Sequence, residues 1–404
     1  MDILVIDDLF ETRLLLKKLC KDMGYNAITA NDGEDAWNKI SSSDVSLVIS
    51  DWEMPNLNGI ELVKRIRKSK LNRYIYFILL TGKNTNEERR EGWEAGADDF
   101  ITKEIFANPR EAKQELEIRI RAGERIVQLE RDLAKHTEKL EKELQSAAEI
   151  QKSLLPKSAL EHKGIGFGSV FIPSTYVGGD IFNYFMLDDN NAGFYVLDVS
   201  GHGASAAMLS YSVSKFISAH SVQLSGILRK FSVEKNTFEI NPPSEVLNAL
   251  NQAFESDEDN LLYFTMAYGV LNLQTGKLMI SQAGHPPAII INRHDSYKLV
   301  DIKSLPAGMF DISEYEDLEF QLEPGDVVFL YSDGTTECFS DVPGKGETEM
   351  AEYFDSIKKL PFDSMLQNIE KKLYSYHNDI VEGKSEQNGI LDDITLLAVS
   401  YHGN

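Results

Sequence analysis

The sequence predicts an α/β multidomain protein. An N-terminal doubly wound parallel (βα)5 unit spans residues 1–107, a helical coiled-coil linker spans 108–156, and a mixed α/β unit spans 157–404. Three observations predict it. The chain has 404 residues, more than one ordinary core holds. Its first quarter alternates short apolar runs with amphipathic stretches, the pattern of a parallel sheet covered by helices on both faces. The next stretch is dense in charge and nearly free of glycine and proline, and the remainder is dominated by strand-like apolar runs.

In the first unit, ILVI (3–6), NAITA (26–30), LVIS (47–50), YFILL (76–80) and DFIT (99–102) read as strands. Helical patterns lie between them at Thr12–Met23, Gly33–Ser41 and Gly59–Lys68. In the linker, apolar residues recur at heptad-like spacing at Ile126, Leu129, Leu133, Leu140, Ala147, Ile150 and Leu154, while His136 and Glu143 interrupt the seam. A single solvated helix would also fit, but the spacing predicts an imperfect coiled coil and hence a homodimer. Pro156 ends the helix. In the third unit FYVLDV, FTMAYGVLNL, KLMISQAG, AIIIN, DVVFLYSDG and ITLLAVSY read as strands, with helical patterns at Ala204–Ser218 and Pro243–Phe254.

Composition excludes several classes of function. Net charge is −23 and pI about 4.8, so nucleic acid and anionic membranes would repel the chain. The output segment shows no helix-turn-helix pattern, which argues against a DNA-binding regulator. Cys20 and Cys338 are the two cysteines and form no C-x-x-C pair, which fits a reducing cytosol and no thiolate zinc site. The start, MDILVIDD, lacks a basic signal region, and no apolar run is long enough to span a bilayer. The expected location is cytoplasmic.

Two groups of acids carry chemistry. In the first, Asp7 and Asp8 follow one predicted strand and Asp51 ends another. Ligands gather at the carboxyl ends of such strands. Acids placed there repel one another unless a divalent cation lies between them, and hard oxygen ligands select Mg²⁺. Thr81 and Lys103 end two further strands. A carboxylate beside Mg²⁺, a lysine and a hydroxyl is suited to accept a phosphoryl group. These residues, with Asp51 inside SDWEMPNLNG and Thr81-Gly82, resemble the response-regulator receiver family. The resemblance implies phosphorylation of Asp51 by a sensor histidine kinase. It also implies Mg²⁺ ligation by Asp8, Asp51 and the carbonyl of Glu53, with Asp7 in support. Thr81 would turn toward the phosphoryl group and Phe100 would move with it. Glu104 departs from the family, which usually has proline there.

In the second group, Asp180 closes YVGGD, Asp198 opens DVSGHGASAAM, Asp333 lies in LYSDGTTE, and Asp392 and Asp393 lie in DDIT. Each stands where an apolar run meets a loop. Buried carboxylates are costly unless neutralised, and oxygen-only ligands select Mg²⁺ or Mn²⁺. Two such ions could activate a water and clamp a phosphate ester. The small residues after Asp198 would bare the backbone so that the Val199 carbonyl could approach a metal. With AAEIQKSLLP, QAGHPPA and SLPAGMF, these motifs resemble the PPM family, the metal-dependent protein phosphatases of the 2C type, and within it the bacterial sporulation-phosphatase (SpoIIE-like) branch. The resemblance covers about residues 147–404. It implies an α/β sandwich and a serine/threonine phosphatase with two Mn²⁺ or Mg²⁺ ions. Asp180, Asp198, Asp333 and Asp392 would be ligands, with the Val199 carbonyl. Asp393 would be an alternative ligand or a support. The motif position of His202 would put it near the metals, either as a general acid or holding its loop. His285 is read as loop architecture with a contact to the protein substrate, and Cys338 as a small buried residue.

Together the units predict a phosphatase controlled by phosphorylation of Asp51 through the linker. The branch resemblance implies a phosphorylated anti-sigma factor antagonist as substrate, in a partner-switching pathway. The rival reading is a catalytically silent adaptor gated by phosphorylation. The retention of all four acids weighs against it.

Overall fold

Ile3, Leu4, Val5 and Ile6 are all fully buried, as expected of a strand covered on both faces. They form β1 (Asp2–Ile6) of a sheet completed by β2 (Asn26–Ala30), β3 (Leu47–Asp51), β4 (Tyr76–Thr81) and β5 (Asp99–Thr102). All pairs are parallel and the order is β2-β1-β3-β4-β5. Helices α1 (Phe10–Asp22), α2 (Gly33–Ser42), α3 (Gly59–Lys68) and α4 (Asn86–Ala95) alternate with the strands. Alternate β1 side chains enter opposite cores: Leu4 and Ile6 on one face, Ile3 and Val5 on the other. The predicted doubly wound sheet is therefore what forms. In this computed structural model all residues are described except 70, 83–85, 157–163, 175, 202, 223–225, 235, 256–261, 311–313, 341, 343, 382–391 and 404, and the side chains of 86–88, 219–222, 380 and 381.

A 3₁₀ turn (Lys103–Ala107) leads into α5 (Pro109–Leu154), a helix of 46 residues. Proline at its first position suits a helix start, where no N–H partner is lost. By contacts the chain divides into Met1–Glu141 and Lys142–Asn404, and not at 107 and 156. The reason is a second apolar stripe on α5. Ala112, Leu116, Ile120 and Val127 are buried in the N-terminal core. Gly123 lies so close to Tyr76 that a Cβ would sit 2.4 Å from its ring. Arg119 donates to both oxygens of Asp99 at 2.7 and 2.9 Å. The predicted seam is a different stripe. Ile126, Leu129, Leu133, Leu140 and Ile150 are exposed.

The second unit holds two five-stranded antiparallel sheets and a small hairpin. In chain order its strands are β6 (Ile165–Ile172), β7 (Ile181–Met186), β8 (Asn191–Val199), β9 (Arg229–Ser232), β10 (Thr237–Ile240), β11 (Phe264–Asn272), β12 (Lys277–Ala283), β13 (Ala288–Ile291), β14 (Lys298–Val300), β15 (Leu318–Gln321), β16 (Val327–Tyr331) and β17 (Ile394–Tyr401). One sheet runs β15-β12-β11-β8-β7, the other β14-β13-β16-β17-β6, and β9 pairs with β10. The helices are α6 (Ala204–Val222), α7 (Pro243–Ala253), α8 (Asp333–Glu337), α9 (Gly346–Ile357) and α10 (Phe362–Val381). Leu397 and Val399 of β17 enter the core shared with β8 and β11, whereas Leu396 and Ala398 pack with residues of α9 and α10. This period-two division makes a sandwich with helices outside. Among the described residues no helix is long and apolar enough to cross a membrane.

Candidate functional site

The N-terminal acids gather as predicted. Among the described residues, Asp7, Asp8 and Asp51 form a group whose nearest carboxylate oxygens all lie within 4.8 Å of one another. Lys103 Nζ sits 2.7 Å from Asp51 Oδ2 and 3.2 Å from Asp7 Oδ2. Backbone amides hold the other oxygens, Trp52 N donating to Asp51 Oδ1 and Leu9 N to Asp7 Oδ1. Burial raises the Asp51 pKa and the Asp7 charge adds to it, with Lys103 opposing. Burial works against charge on Lys103 too, yet Asp51 and Asp7 carry its pKa upward. Thr81 is buried at the end of β4, Glu53 is on the exposed loop after Asp51, and Phe100 is buried edge-on against Trp93. Glu104 is the second residue of the 3₁₀ turn, and Lys103 beside it still reaches Asp51. Sequence reasoning missed Arg13, whose Nη1 donates to the carbonyls of Asp7 and Asp8 at 2.6 and 3.0 Å. It holds the acid-bearing turn and brings positive charge to it.

In the second unit the five predicted acids come from both sheets. Asp180 precedes β7, Asp198 lies in β8, Asp333 opens α8 just after β16, and Asp392 and Asp393 precede β17. Asp180 and Asp393 are buried, Asp198 is half-buried, and Asp333 and Asp392 are exposed, so the group runs from core to surface. The acids interact. Burial, then the charges of Asp198 and Asp393, push the Asp180 pKa well up. Burial, then Asp333, push Asp198 up to about 7. Asp180 Oδ2 is buried without a hydrogen-bond partner. An acceptor-only atom of this kind, among acids that resist ionising together, fits a divalent cation.

Glycines make the assembly possible, and the close approaches fall in YVGGD rather than after Asp198. A Cβ on Gly178 would lie 1.8 Å from Asp393 Oδ2, and one on Gly179 would lie 2.8 Å from the Val199 carbonyl. A Cβ on Gly201 or Gly203 would meet nothing within 4 Å; those two residues are required by φ of +89° and +83°. The bare approach to Val199 therefore comes from YVGGD and not from the residues after Asp198. His202 lies outside the described residues.

The remaining motifs brace this end of the sandwich. Asp393 Oδ1 accepts from Ser174 N and Oγ at 2.8 and 2.9 Å, and Oδ2 accepts from Asp180 N at 3.4 Å. Ser332 Oγ donates to the Asp393 carbonyl at 3.1 Å. Gln151, near the end of α5, clasps Gly178 from both sides. Its Nε2 donates to the Gly178 carbonyl at 2.7 Å and its Oε1 accepts from the Gly178 amide at 3.2 Å. The SLPAGMF loop pairs with the start of β11 through Phe264 and Ala307. His285 is buried, so it offers a protein substrate no contact, contrary to expectation. Cys338 is buried as expected, its thiol pushed up to about 12 by burial. Ser174 and Ser332 carried no signal in the sequence. Gln151 stood inside a motif whose role spacing alone does not assign.

The comparisons agree with this architecture. A family model described as stage II sporulation protein E (SpoIIE) matches residues 188–402, and one described as response regulator receiver domain matches residues 3–117. The chain is 26% identical over 263 residues to phosphoserine phosphatase RsbU of Bacillus subtilis (strain 168), covering 65% of this chain and 71% of that protein. It is also 26% identical over 232 residues to phosphoserine phosphatase RsbP of the same organism, covering 57% of this chain and 52% of that protein. The chain thus spans about half the length of RsbP. The solved SiaA-PP2C domain of Pseudomonas aeruginosa superposes with a TM-score of 0.52 at 18% identity, covering 66% of this chain and 98% of that one, and so shares the fold.

Proposed function

The chain belongs to the stage II sporulation protein E (SpoIIE) family, as a PP2C-type serine/threonine phosphatase joined to a response regulator receiver domain, and we propose that phosphorylation of Asp51 controls its phosphatase activity. A sensor histidine kinase supplies the phosphoryl group. Asp8, Asp51 and the Glu53 carbonyl, with Asp7 in support, would hold a Mg²⁺ ion, which supplies positive charge for the phosphoryl oxygens, and Lys103 offers a second positive charge there. The pairing of Lys103 with both Asp51 and Asp7 supports this reading.

In the phosphatase unit, Asp180, Asp198, Asp333 and Asp392, with the Val199 carbonyl, would hold two Mn²⁺ or Mg²⁺ ions. Such ions supply Lewis acidity at a phosphate ester and a nucleophilic water. The observation that carries this reading is the buried, unpartnered Oδ2 of Asp180 among mutually interacting acids. Asp393 serves as the brace, since its two oxygens already accept from Ser174 and the Asp180 amide. The substrate is a phosphoserine or phosphothreonine on an anti-sigma factor antagonist, in the cytoplasm. The likeness to proteins named phosphoserine phosphatases supports that class. Control passes through α5. Its exposed seam invites a second copy of the helix, and Gln151 at its other end grips the loop that carries Asp180.

The test is hydrolysis of an aryl phosphate by the full chain with Mn²⁺, with and without beryllium fluoride as phosphoryl mimic. Turnover is expected to need Mn²⁺, to vanish in Asp198→Ala and to change with the mimic. A folded chain with no turnover in either state would leave the adaptor reading standing.

A further inference from the structure

The SLPAGMF segment carries none of the candidate ligands, yet it lies at their edge of the sheet. Strand β12 ends at Ala283, paired with Met266 of β11. Beyond that point Ala307 becomes the neighbour of β11. It exchanges both backbone hydrogen bonds with Phe264, at 2.8 and 3.0 Å. On its other side Phe264 is the register partner of Val199, and Thr265 is that of Asp198. Ala307 therefore stands two strand spacings, about 10 Å, from the Val199 backbone.

The segment is held at several points. Ser304 Oγ donates to the Gln282 carbonyl at 2.6 Å and accepts from the Gly284 amide at 3.0 Å. Asn251 of α7, itself buried, spans Met309. Its Oδ1 accepts from the Gly308 amide at 2.7 Å, and its Nδ2 donates to the Phe310 carbonyl at 2.9 Å. Gly308 has φ +82°, and a Cβ there would lie 2.6 Å from the Phe254 carbonyl. On this fixed backbone Leu305, Met309 and Phe310 are 47, 37 and 48% exposed. Large apolar side chains clustered in so short a segment mark a contact surface, and a backbone already ordered loses little entropy on binding.

A serine/threonine phosphatase acts on a residue within a protein chain, so part of the substrate lies on the surface around the acids. An extended chain advances about 3.3 Å per residue, so about 10 Å corresponds to three residues. We propose that Leu305, Met309 and Phe310 form a recognition ledge that takes an apolar side chain of the substrate protein three residues from the phosphorylated one. This rests on the reading given above, in which the phosphate reacts at the acids around Asp198.

The probes are phosphoserine peptides in a glutamine and alanine background. One has leucine three residues before the phosphoserine, one has it three residues after, and one has none. Phosphate release by the full chain with Mn²⁺ is measured beside aryl phosphate hydrolysis, with and without beryllium fluoride. One leucine peptide is expected to exceed the leucine-free peptide roughly tenfold in kcat/KM. That ratio should fall below about threefold in the double variant Leu305→Ala/Met309→Ala and survive in Met309→Leu. Equal rates for all the peptides overturn the proposal, as does hydrolysis of aryl phosphate with no peptide turned over. A double variant that slows every substrate alike and keeps the ratio also overturns it, because that marks a purely structural role. Aryl phosphate hydrolysis retained in Asp198→Ala would sink the underlying site reading, whatever the peptide ratio, and so would a folded chain inert toward every substrate.

Discussion

Gly178 and Gly201 both stand in acid-bearing loops, but for different reasons. Gly178 gives space to the Asp393 carboxylate, and Gly201 gives a backbone conformation. Gly178→Ala should therefore displace the loop of Asp180 and lower metal-dependent turnover at least tenfold, whereas Gly201→Ala should cost about 1–2 kcal/mol of stability through its positive φ. Mn²⁺ titrations and denaturant midpoints of the two variants check this. His285 makes a second prediction. Burial lowers its pKa from the ordinary 6.5 to about 3, so as pH falls the unfolded chain takes up a proton before the folded one does. Its contribution is intact above pH 6.5 and is lost progressively toward pH 3. Native protein should lose about 2 kcal/mol more than His285→Asn between pH 7.5 and pH 5, read from urea midpoints. The acids of both sites were legible because each stands where an apolar run meets a loop. Gln151, Ser174 and Arg13 were not, because Gln151 and Arg13 bond to backbone groups and Ser174 to a carboxylate more than two hundred residues on, and nothing in residue type or spacing marks such a bond.

Helix α5 shows what a periodic pattern can and cannot tell. The heptad stripe through Leu129 and Leu133 was readable, and it is exposed. The stripe through Ala112, Leu116, Ile120 and Val127 was folded into the linker, because spacings of four and seven suit a solvated coil and a receiver-packing face equally well. The two stripes should respond differently. Ile120→Ala removes a fully buried side chain and should destabilise the N-terminal unit by about 2–5 kcal/mol. Leu133→Ala should leave that unit's melting unchanged and weaken self-association, measured by sedimentation. The end of the helix carries a third expectation. Gln151→Ala removes both bonds to Gly178. It should lower phosphatase turnover and flatten the response to beryllium fluoride, while Gln151→Glu keeps the acceptor and retains part of both. Strands β6 and β7 were missed where glycines or a loop interrupt the alternation. Gly168 in β6 is needed because a Cβ would lie 2.0 Å from Leu366, a constraint set by α10 and invisible in the local sequence.

Across the whole molecule, each unit has its own buried core, and each candidate site draws its acids from within one unit. Calorimetry should therefore show two transitions, one raised by Mn²⁺ and lost as a Mn²⁺ response in Asp198→Ala, the other raised by Mg²⁺ with beryllium fluoride and unresponsive in Asp51→Asn. A single transition answering both additions would contradict this. The division into an α/β receiver and a mixed second unit was legible because alternating and strand-rich patterns differ over long windows, whereas the boundary depended on which face of one helix meets a sheet. Both native cysteines are buried, with thiols pushed up to about 12. Neither will react readily with alkylating or spin-labelling reagents at neutral pH. A cysteine introduced on the exposed seam, as Leu133→Cys, would thus be the reactive thiol of an otherwise silent background. Crosslinking or distance spectroscopy could then follow helix pairing in the native chain, with no cysteine removed beforehand.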